Sequence, residues 1–392
     1  MLAPPIHHEV DNAMKPVVIA GYARSPFTPA FKGELARVRP DEMASQVVRG
    51  LLQRTGVDAE KIEDLIVGCA FPEGEQGFNM ARLIGFLADL PLGVAGMTVN
   101  RFCGSSMQAI HIAVGALQMD AGEAYICAGV ESMSRIPMTG FNPMPHPGLY
   151  ERYPQAYMGM GETAENIAVK YGISRQEQDA FAVESHRKAS EALSSKRLAE
   201  EIISIRGKDG DVVTDGCIRE DTTTETLGGL NPAFSEDGTV TAGTSSPLTD
   251  GAAAVLVTTE DFAEKNGLEP LARIRSFAVA GCQPEIMGIG PVGSSKKALK
   301  RAGISVDDLD VIELNEAFAS QSLASIRDLG LDISKINIDG GALALGHPLG
   351  ATGARITAKA AQILKRDGGR YALATQCIGG GQGIATVLES LS

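Results

Sequence analysis

Three short segments of the chain carry residue types that could support covalent chemistry, and the first contains a cysteine. Cys103 stands in residues 99–106 (VNRFCGSS), directly before the helix that the apolar spacing predicts from Met107. Free N–H groups and the positive dipole end at a helix N-terminus stabilise a thiolate, the nucleophilic form of cysteine. Gly104 leaves space for a ligand to approach the backbone. A buried, inert thiol is the alternative for any cysteine, but this position favours a nucleophile.

The second segment places a histidine among glycines. His347 lies in residues 340–353 (GGALALGHPLGATG) and is the only histidine in the C-terminal half of the chain. The glycines do not follow the spacing of a dinucleotide-binding loop. The alternative to a functional histidine here is a rigid loop that carries the imidazole incidentally.

The third segment, residues 376–383 (QCIGGGQG), is a strand that ends in Cys377 and is followed by four glycines within five residues. Backbone N–H groups in such a loop could form an oxyanion hole. A tight bend at the end of a strand is the alternative. Cys69 and Cys127 lie in apolar strands, and we expect them to be core residues.

An internal repeat indicates which elements position these segments. Residues 51–71 align without gaps on residues 298–318, at an offset of 247. Each copy predicts a helix that ends at glycine, Gly56 or Gly303, then an acidic turn and a short apolar strand. We therefore expect two similar α/β halves. At this offset Cys103 corresponds to Gly350, three residues from His347, so the two loops would face each other across a shared cleft.

The remaining pattern favours an α/β fold. Short apolar strands are predicted at residues 15–23, 123–129, 252–258 and 371–377, and helices at 107–119 and 354–364. Strands that alternate with helices indicate mostly parallel sheets with both faces buried. We expect an N-terminal tail (1–15), an N-terminal half (16–132 with 250–271), an inserted loop region (133–249) and a C-terminal half (272–392).

Composition excludes several classes of protein. The chain has 35 basic and 48 acidic residues, a net charge of −13, which disfavours general binding to nucleic acid or to a membrane surface. Six cysteines without a CxxC pair predict neither a zinc site nor a redox dithiol. No apolar run approaches the roughly 18 residues of a membrane span. The first residues resemble no targeting peptide, so we expect a cytoplasmic protein.

Seven motifs in order resemble the thiolase family of acetyl-CoA C-acyltransferases, and the resemblance extends from Val17 to the C-terminus. The motifs are NRFCGSSMQAI, SMSRIPM, GMGETAEN, VTAGTSSPLTDGAAA, ELNEAF, GGALALGHPLGATGAR and CIGGGQGIA. The resemblance implies a thiolase-like fold, with duplicated βαβ halves in a layered α-β-α-β-α core and a CoA-binding inserted region. It also implies reversible thiolysis of 3-ketoacyl-CoA by CoA, through an acyl-cysteine intermediate and in fatty-acid β-oxidation.

The same resemblance assigns catalytic roles. Cys103 matches the acylated nucleophile, and His347 matches the base that takes its proton. Cys377 matches the second cysteine, which moves a proton to or from the α-carbon of the acetyl unit. Asn315 matches the residue that holds a water in one oxyanion site, and the N–H groups of Cys103 and Gly379 match the second oxyanion site.

Binding roles follow in the same way. Ser246 matches the residue that contacts the pantetheine arm of CoA, and Arg219 matches one near the nucleotide end. The positions that match the apolar lining of the substrate tunnel are Met160, Phe234, Ala242, Leu248 and Phe318. The resemblance implies no metal and no cofactor, since CoA is a substrate. It also implies a homodimer or homotetramer, with β-oxidation enzymes as further partners.

Two departures from the family pattern and three alternatives complete the expectations. Asp339 stands where relatives usually carry asparagine, and Gly159 replaces a histidine found in some short-chain biosynthetic relatives. Gly159 thus leaves room for longer acyl chains. The alternatives are a short-chain thiolase that forms acetoacetyl-CoA, a decarboxylating ketoacyl synthase, and an inactive acyl-CoA- or lipid-binding protein. The combination of Cys103, His347 and Cys377 disfavours the last two.

Overall fold

The computed structural model describes residues 14–391, so nearly all of the predicted N-terminal tail lies outside the described residues. The strands are β1 (Val17–Arg24), β2 (Thr28–Pro29), β3 (Asp64–Gly68), β4 (Ala95–Val99), β5 (Ala124–Ser132), β6 (Ile205–Arg206), β7 (Asp211–Val212), β8 (Thr249–Thr259), β9 (Ala272–Gly281), β10 (Val311–Leu314), β11 (Tyr371–Ile378) and β12 (Gln382–Glu389).

The α-helices are α1 (Pro40–Thr55), α2 (Met80–Leu87), α3 (Ser105–Gln118), α4 (Pro147–Arg152), α5 (Met160–Tyr171), α6 (Arg175–Ser194), α7 (Thr224–Gly228), α8 (Glu260–Lys265), α9 (Gly290–Ala302), α10 (Ala319–Leu329), α11 (Ala342–Leu345) and α12 (Leu349–Asp367). Short 3₁₀ helices connect several of them, at Glu34–Arg37, Ala59–Lys61, Gly74–Gln76, Pro154–Tyr157, Pro284–Ile289, Val306–Asp308 and Ile333–Lys335.

The sheet consists of two halves with a similar topology. Its strand order is β10-β11-β12-β9-β1-β8-β5-β3-β4, and β9 and β1 join the halves through only two residue pairs. In the first half, β1–β8 and β8–β5 are antiparallel, whereas β5–β3 and β3–β4 are parallel. The second half repeats the first three of these pairings, with β9–β12 and β12–β11 antiparallel and β11–β10 parallel, and among the described strands it has no counterpart of β4. The predicted duplication is confirmed.

The repeat read from the sequence coincides with equivalent elements. Helix α1 ends at Gly56 (φ 67°) and α9 ends at Gly303 (φ 74°), both in the left-handed conformation that glycine adopts at a helix C-terminus. A 3₁₀ turn and a buried strand follow in each copy, and β3 and β10 begin at Asp64 and Val311, which are 247 residues apart.

The expectation of mostly parallel sheets is wrong, because each half contains two antiparallel pairings. In the second half, one of the two antiparallel pairings, β11–β12, has a local cause. Residues 379–381 form a tight turn with Gly380 (φ 77°) and Gly381 (φ 82°), and this turn returns the chain from β11 to β12 as a hairpin. The prediction that both faces are buried holds for β5 and β11, in which every residue is buried.

Five layers result because helices cover both faces of each half of the sheet. Helices α3 and α12 lie between the two halves of the sheet and share one apolar core with their inner faces. Helices α1 and α2 cover the outer face of the first half, and α9 covers the outer face of the second. A side chain at Gly353 of α12 would collide with the backbone of Met107 in α3. Glycine is therefore required for the close approach of these helices.

The region between β5 and β8 contains α4–α7 and the small hairpin β6–β7. Buried ion pairs hold it against β1, because Arg24 binds Glu201 (2.8 Å) and Asp215 (2.7 Å) and all three side chains are inaccessible to solvent. None of the helices among residues 14–391 has the length and apolar character needed to cross a membrane.

Candidate active site

Cys103 lies in a tightly bonded loop between β4 and α3. Phe102 adopts a left-handed backbone conformation (φ 44°), and its N–H donates to Asn100 Oδ1 (2.8 Å). The hydroxyl of Ser105 accepts from the Arg101 N–H (2.9 Å) and donates to the Phe102 carbonyl (2.6 Å). A bulky residue at positive φ is strained and persists only where its surroundings fix it. The loop therefore holds the half-buried Cys103 in one position at the start of α3.

The electrostatic surroundings of Cys103 differ from the sequence expectation. Burial raises the pKa of its thiol to about 11, and the carboxylate of Glu131 adds to the increase. The backbone N–H groups of Gly379 and of Cys103 itself lower the pKa of the thiol, but by less than burial raises it. The backbone N–H groups act in the predicted direction, but burial outweighs them in the free protein. Because Cys103 is protonated at neutral pH, it needs a base to become a nucleophile.

His347 is buried in the short connection between α11 and α12. Its backbone N–H donates to Thr249 Oγ1 (3.0 Å), and its Nδ1 lies 2.6 Å from Thr352 Oγ1 in the first turn of α12. Burial lowers the pKa of the imidazole to about 3, and the nearby positive charge of Arg355 contributes. His347 is therefore neutral at physiological pH.

The hydrogen bonds of His347 determine which ring nitrogen is free. Thr352 Oγ1 donates its proton to the Pro348 carbonyl (3.1 Å), so it accepts from Nδ1–H of the imidazole. The other nitrogen, Nε2, lies 3.3 Å from Asn315 Nδ2, which can only donate. Nε2 thus carries the lone pair, as a general base requires.

The two helices that follow Cys103 and His347 are joined at their first turns. The Ala354 N–H donates to Ser106 Oγ (2.8 Å), and the Gly350 N–H donates to the buried carboxylate of Glu131 (2.9 Å). Glu131 also accepts from the Ala70 N–H (2.8 Å), at the end of β3. The cysteine and histidine loops therefore lie side by side, as the repeat predicts.

Cys377 approaches the same place from the second half of the sheet. It is buried near the end of β11, and its thiol donates to Gln321 Oε1 over 3.7 Å. Burial raises its pKa well above the ordinary value, and the nearby thiols of Cys103 and Cys282 raise it further. The preceding Gln376 donates from its side-chain amide to the Cys103 carbonyl. This contact connects β11 directly to the nucleophile loop.

Asn315 begins the loop after β10. Its backbone N–H donates to the Thr375 carbonyl (3.0 Å), and within residues 14–391 no hydrogen-bond partner faces its buried Oδ1. The next residue, Glu316, accepts from Ser185 Oγ (2.6 Å) and Asn337 Nδ2 (2.7 Å). These bonds connect the Asn315 loop to α6 and to the segment that leads to His347.

Three of the five predicted apolar positions form one group beside Cys377. Met160 and Phe318 belong to the apolar cluster that contains Cys377. Phe234 packs edge-on against Phe318, with ring centroids 5.9 Å apart, and it leaves no room for a side chain at Gly161. A partly exposed aromatic wall therefore borders the second cysteine.

The other predicted binding positions are Ser246 beside the site and three exposed residues. The Ser246 N–H donates to the Ala317 carbonyl (3.0 Å), which places Ser246 beside the Asn315 loop. Leu248 is 44% exposed, and Ala242 and Arg219 are exposed. Among the described residues, no hydrogen bond or ion pair joins the side chain of Arg219 to the cysteine–histidine group.

Sequence reasoning missed four side chains that hold this group together, namely Glu131, Gln321, Thr352 and Gln376. Thr352 could have been found, because it follows His347 by five residues in the first turn of a predicted helix. Gln376 could have been found beside Cys377. Glu131 and Gln321 act across contacts between distant segments, and no motif signals such contacts.

The protein has a duplicated five-layer α/β fold, which brings a cysteine, a histidine and a second cysteine to the junction of its halves. This combination of fold and site defines a cysteine-dependent acyltransferase. Family models described as "Thiolase, N-terminal domain" and "Thiolase, C-terminal domain" match residues 17–261 and 268–390. The chain belongs to the thiolase family.

Individual relatives agree with this family over the whole chain. The 3-ketoacyl-CoA thiolase of Bacillus subtilis (strain 168) is 48% identical over 389 residues, which cover 96% of this chain and 100% of that protein. The crystal structure of human mitochondrial 3-ketoacyl-CoA thiolase superposes with a TM-score of 0.89 at 38% identity, covering 96% of this chain and 99% of the other. The structure titled as its complex with CoA superposes with a TM-score of 0.88 at 39% identity, covering 96% of this chain and 98% of the other.

Proposed function

We propose that this protein catalyses the reversible thiolysis of 3-ketoacyl-CoA by CoA, which yields acetyl-CoA and a shortened acyl-CoA through an acyl-Cys103 intermediate. The observation that carries the proposal is the way in which hydrogen bonds join the loops of Cys103, His347 and Cys377. Gln376, beside Cys377, donates to the Cys103 carbonyl, and the helices that follow Cys103 and His347 are joined by the bond from the Ala354 N–H to Ser106 Oγ (2.8 Å). An acyl group on the Cys103 sulfur would lie beside the N–H groups of the Gly-rich loop after Cys377, which could stabilise an oxyanion. The relatives named 3-ketoacyl-CoA thiolase support this reaction.

In the first half of the reaction, His347 Nε2 takes the thiol proton of Cys103, and the sulfur attacks the 3-keto carbon of the substrate. The oxyanion is stabilised by donors in the Gly-rich loop. When the bond between carbons 2 and 3 breaks, the acyl group stays on Cys103. Cys377 gives its proton to the departing α-carbon, and acetyl-CoA leaves.

In the second half, the Cys377 thiolate takes the thiol proton of CoA, and the CoA sulfur attacks the thioester carbonyl on Cys103. The tetrahedral intermediate collapses to acyl-CoA, and the proton on His347 returns to the Cys103 sulfur. Both cysteines are protonated again and His347 is neutral, so the cycle closes without net consumption of protein groups. Condensation of two acyl-CoA molecules follows the same path in reverse, and no step requires a metal or a prosthetic group.

The finer assignments are also part of this proposal. CoA or acyl-CoA is the small-molecule partner, and the inserted region, residues 133–249, contributes Ser246 and Arg219 to its binding. We place the activity in β-oxidation in the cytoplasm, beside other enzymes of that process. Gly159 supports acceptance of longer acyl chains, whereas the alternative is a biosynthetic enzyme that forms acetoacetyl-CoA. Relative rates on short, medium and long 3-ketoacyl-CoA distinguish these two.

A homodimer or homotetramer is supported by the free edge of the sheet. Among the described strands, β4 pairs only with β3, so its outer edge has no partner strand. Phe78 (94% exposed), Leu92 (78%) and Phe86 (47%) lie close to this strand in the sequence. Unpaired edges and exposed apolar groups are features of association surfaces. Sedimentation of the wild type and of a Phe86→Asp variant tests this association.

The function is tested by following the loss of 3-ketoacyl-CoA in the presence of CoA. Wild type, Cys103→Ala and Cys377→Ala are compared, after circular dichroism has shown that all three are folded. We expect turnover by the wild type and loss of turnover in both variants. Turnover that survives in Cys103→Ala would exclude the proposed nucleophile, and an inactive wild type that binds acyl-CoA would favour the binding-protein alternative.

A further inference from the structure

We propose that Gln321 is a positioning residue that holds the thiol proton of Cys377 and so prepares this cysteine for proton transfer at the α-carbon. The inference rests on the function proposed above and assigns a role to a residue outside the predicted site. Gln321 is completely buried in the first turn of α10. A buried amide in direct contact with a reactive thiol is able to determine where that thiol points.

The orientation of the Gln321 amide is determined by fixed backbone donors. Its Oε1 accepts from the Ala317 N–H (3.0 Å) and, at longer range, from the Phe318 N–H (3.4 Å). Backbone N–H groups can only donate, so the oxygen of the amide must face them. The other end of the amide agrees, because Nε2 donates to Ser322 Oγ (3.2 Å).

This orientation makes Cys377 the donor in its contact with Gln321. The Cys377 sulfur lies 3.7 Å from Oε1, and an amide oxygen has no proton to give. The S–H bond therefore points towards Gln321, and the sulfur lone pairs point away from it. A hydrogen bond from the neutral thiol favours the protonated form over the thiolate.

The contact between Gln321 and Cys377 favours a high pKa of the Cys377 thiol, which proton transfer at the α-carbon requires. Burial raises the pKa of Cys377, and the thiols that face it, Cys103 and Cys282, raise it further. Gln321 acts in the same direction, since a thiolate would face the oxygen without a proton between them. A thiol with a high pKa forms a strongly basic thiolate, and the α-carbon of a thioester is a weak acid that needs such a base.

Gln321 should affect the two uses of the Cys377 proton in opposite directions. Within residues 14–391 its side chain makes no hydrogen bond to Cys103 or to His347. When acetyl-CoA acetylates Cys103, Cys377 gives its proton to the departing CoA thiolate, and a thiol held by Gln321 gives that proton less readily. The Cys377 thiolate that remains is a stronger base for the α-proton of a second acetyl-CoA.

The test uses Gln321→Met, which lacks the acceptor, and Gln321→Glu, which restores an acceptor oxygen. Ser325→Ala is the matched control, because Ser325 is buried on the same helix and donates to Gly288 rather than to the site (3.2 Å). The rate of Cys103 acetylation by acetyl-CoA is followed by mass spectrometry. The rate at which the α-protons of acetyl-CoA exchange with deuterium is followed across pH by NMR.

We expect Gln321→Met to acetylate Cys103 at least as fast as the wild type. The pH profile of its α-proton exchange should shift to lower pH and reach an alkaline plateau about threefold below that of the wild type, because a less basic thiolate removes the proton more slowly. Gln321→Glu should recover exchange and move its pH dependence to higher pH. The control should match the wild type. If Gln321→Met does not fold, the pH profile of α-proton exchange in Gln321→Glu tests the role of Gln321, and a shift to lower pH would contradict it.

Equal slowing of acetylation and exchange, or exchange that neither substitution changes, would overturn the role of Gln321 while leaving the proposed function intact. A wild type that neither acetylates Cys103 nor exchanges α-protons would instead contradict the proposed function, and the inference with it.

Discussion

The Nδ1 atom of His347 lies 2.6 Å from the Oγ1 atom of Thr352, and this contact determines which ring nitrogen can accept a proton. Thr352 is itself held by the carbonyl of Pro348 (3.1 Å), at the beginning of the same helix. The helix start thus supplies both the position of the imidazole and its tautomer. The partner of His347 Nδ1 is the hydroxyl of Thr352 rather than a carboxylate, so this partner places no negative charge beside the buried imidazole.

Replacement of Thr352 by valine should slow thiolysis by roughly 10- to 100-fold, because valine cannot accept the Nδ1 proton and the tautomer is no longer fixed. Thr352→Ser, which keeps the hydroxyl, should retain most of the activity. Thr357→Val is the matched control, since Thr357 is buried on α12 and its hydroxyl bonds, among residues 14–391, only to the Gly353 carbonyl (2.7 Å). Steady-state kcat is the measurement. Equal effects of the two valine substitutions would show that packing, not the tautomer, is responsible.

Alkylation of Cys103 in the free protein should increase continuously from pH 7 towards pH 11. The thiolate is the reactive form, and burial raises the pKa of this thiol to about 11, so the thiolate fraction grows about tenfold per pH unit over that range. The measurement is the rate of inactivation by iodoacetamide as a function of pH, with the site of modification confirmed by peptide mapping. A rate that is already constant near pH 7 would contradict the protonated resting state.

Acid should destabilise the protein in part through His111. This buried ring stacks on Phe277 (4.1 Å between centroids), and its Nε2 lies 2.8 Å from Thr386 Oγ1. Burial lowers its pKa to about 3 in the folded state, so the unfolded chain binds the proton first as pH falls below about 6.5. The contribution of His111 to the free energy of unfolding is therefore fully present above pH 6.5. It is lost, at about 1 kcal/mol per pH unit, as the pH falls from 6.5 towards 3.

The measurement for this prediction is the free energy of unfolding in urea between pH 7 and pH 4. His111→Phe preserves the stacked ring but cannot ionise, so its stability should fall less steeply with pH than that of the wild type. A wild-type slope in His111→Phe would contradict the assignment.

Asp339→Asn should destabilise the fold by about 3 kcal/mol, as expected when one partner of a buried ion pair is removed. Asp339 binds Lys359 (2.8 Å), Arg366 (2.7 Å) and Arg197 (2.9 Å), and Lys359 is buried. Urea unfolding measures the change. Asp367→Asn, which removes a more exposed partner of Arg366, should cost much less. Equal stability of Asp339→Asn and the wild type would show that the remaining charges rearrange.

The sequence predicted the duplication well because its signals are local. The glycines that end α1 and α9 and the strands that follow are readable from spacing alone. The direction of strand pairing is predicted wrongly, because the alternation of strands and helices does not reveal that β8 and β12 pair antiparallel with both of their neighbours. Of these four pairings, only β11–β12 is a hairpin, and its turn is formed by the glycines at 379–381, for which a tight bend is one of the two interpretations of the sequence.

The site was predictable to the extent that residue type reveals function. Cys103, His347 and Cys377 stand out in glycine-rich segments, and the structure brings their loops together. The pKa of Cys103 was not predictable, since the desolvation that controls it comes from the packing of both halves. Glu131 and Gln321 were missed for the same reason, because they bond to segments far away in the sequence.

The central claim is that Cys103 carries the acyl group, and the mass of the protein after incubation with acetyl-CoA tests it most directly. We predict the addition of one acetyl group on the peptide that contains Cys103, its removal when CoA is added, and no addition in Cys103→Ala. Stable acetylation of another residue, or thiolysis by a wild type that never carries an acetyl group, would contradict the account.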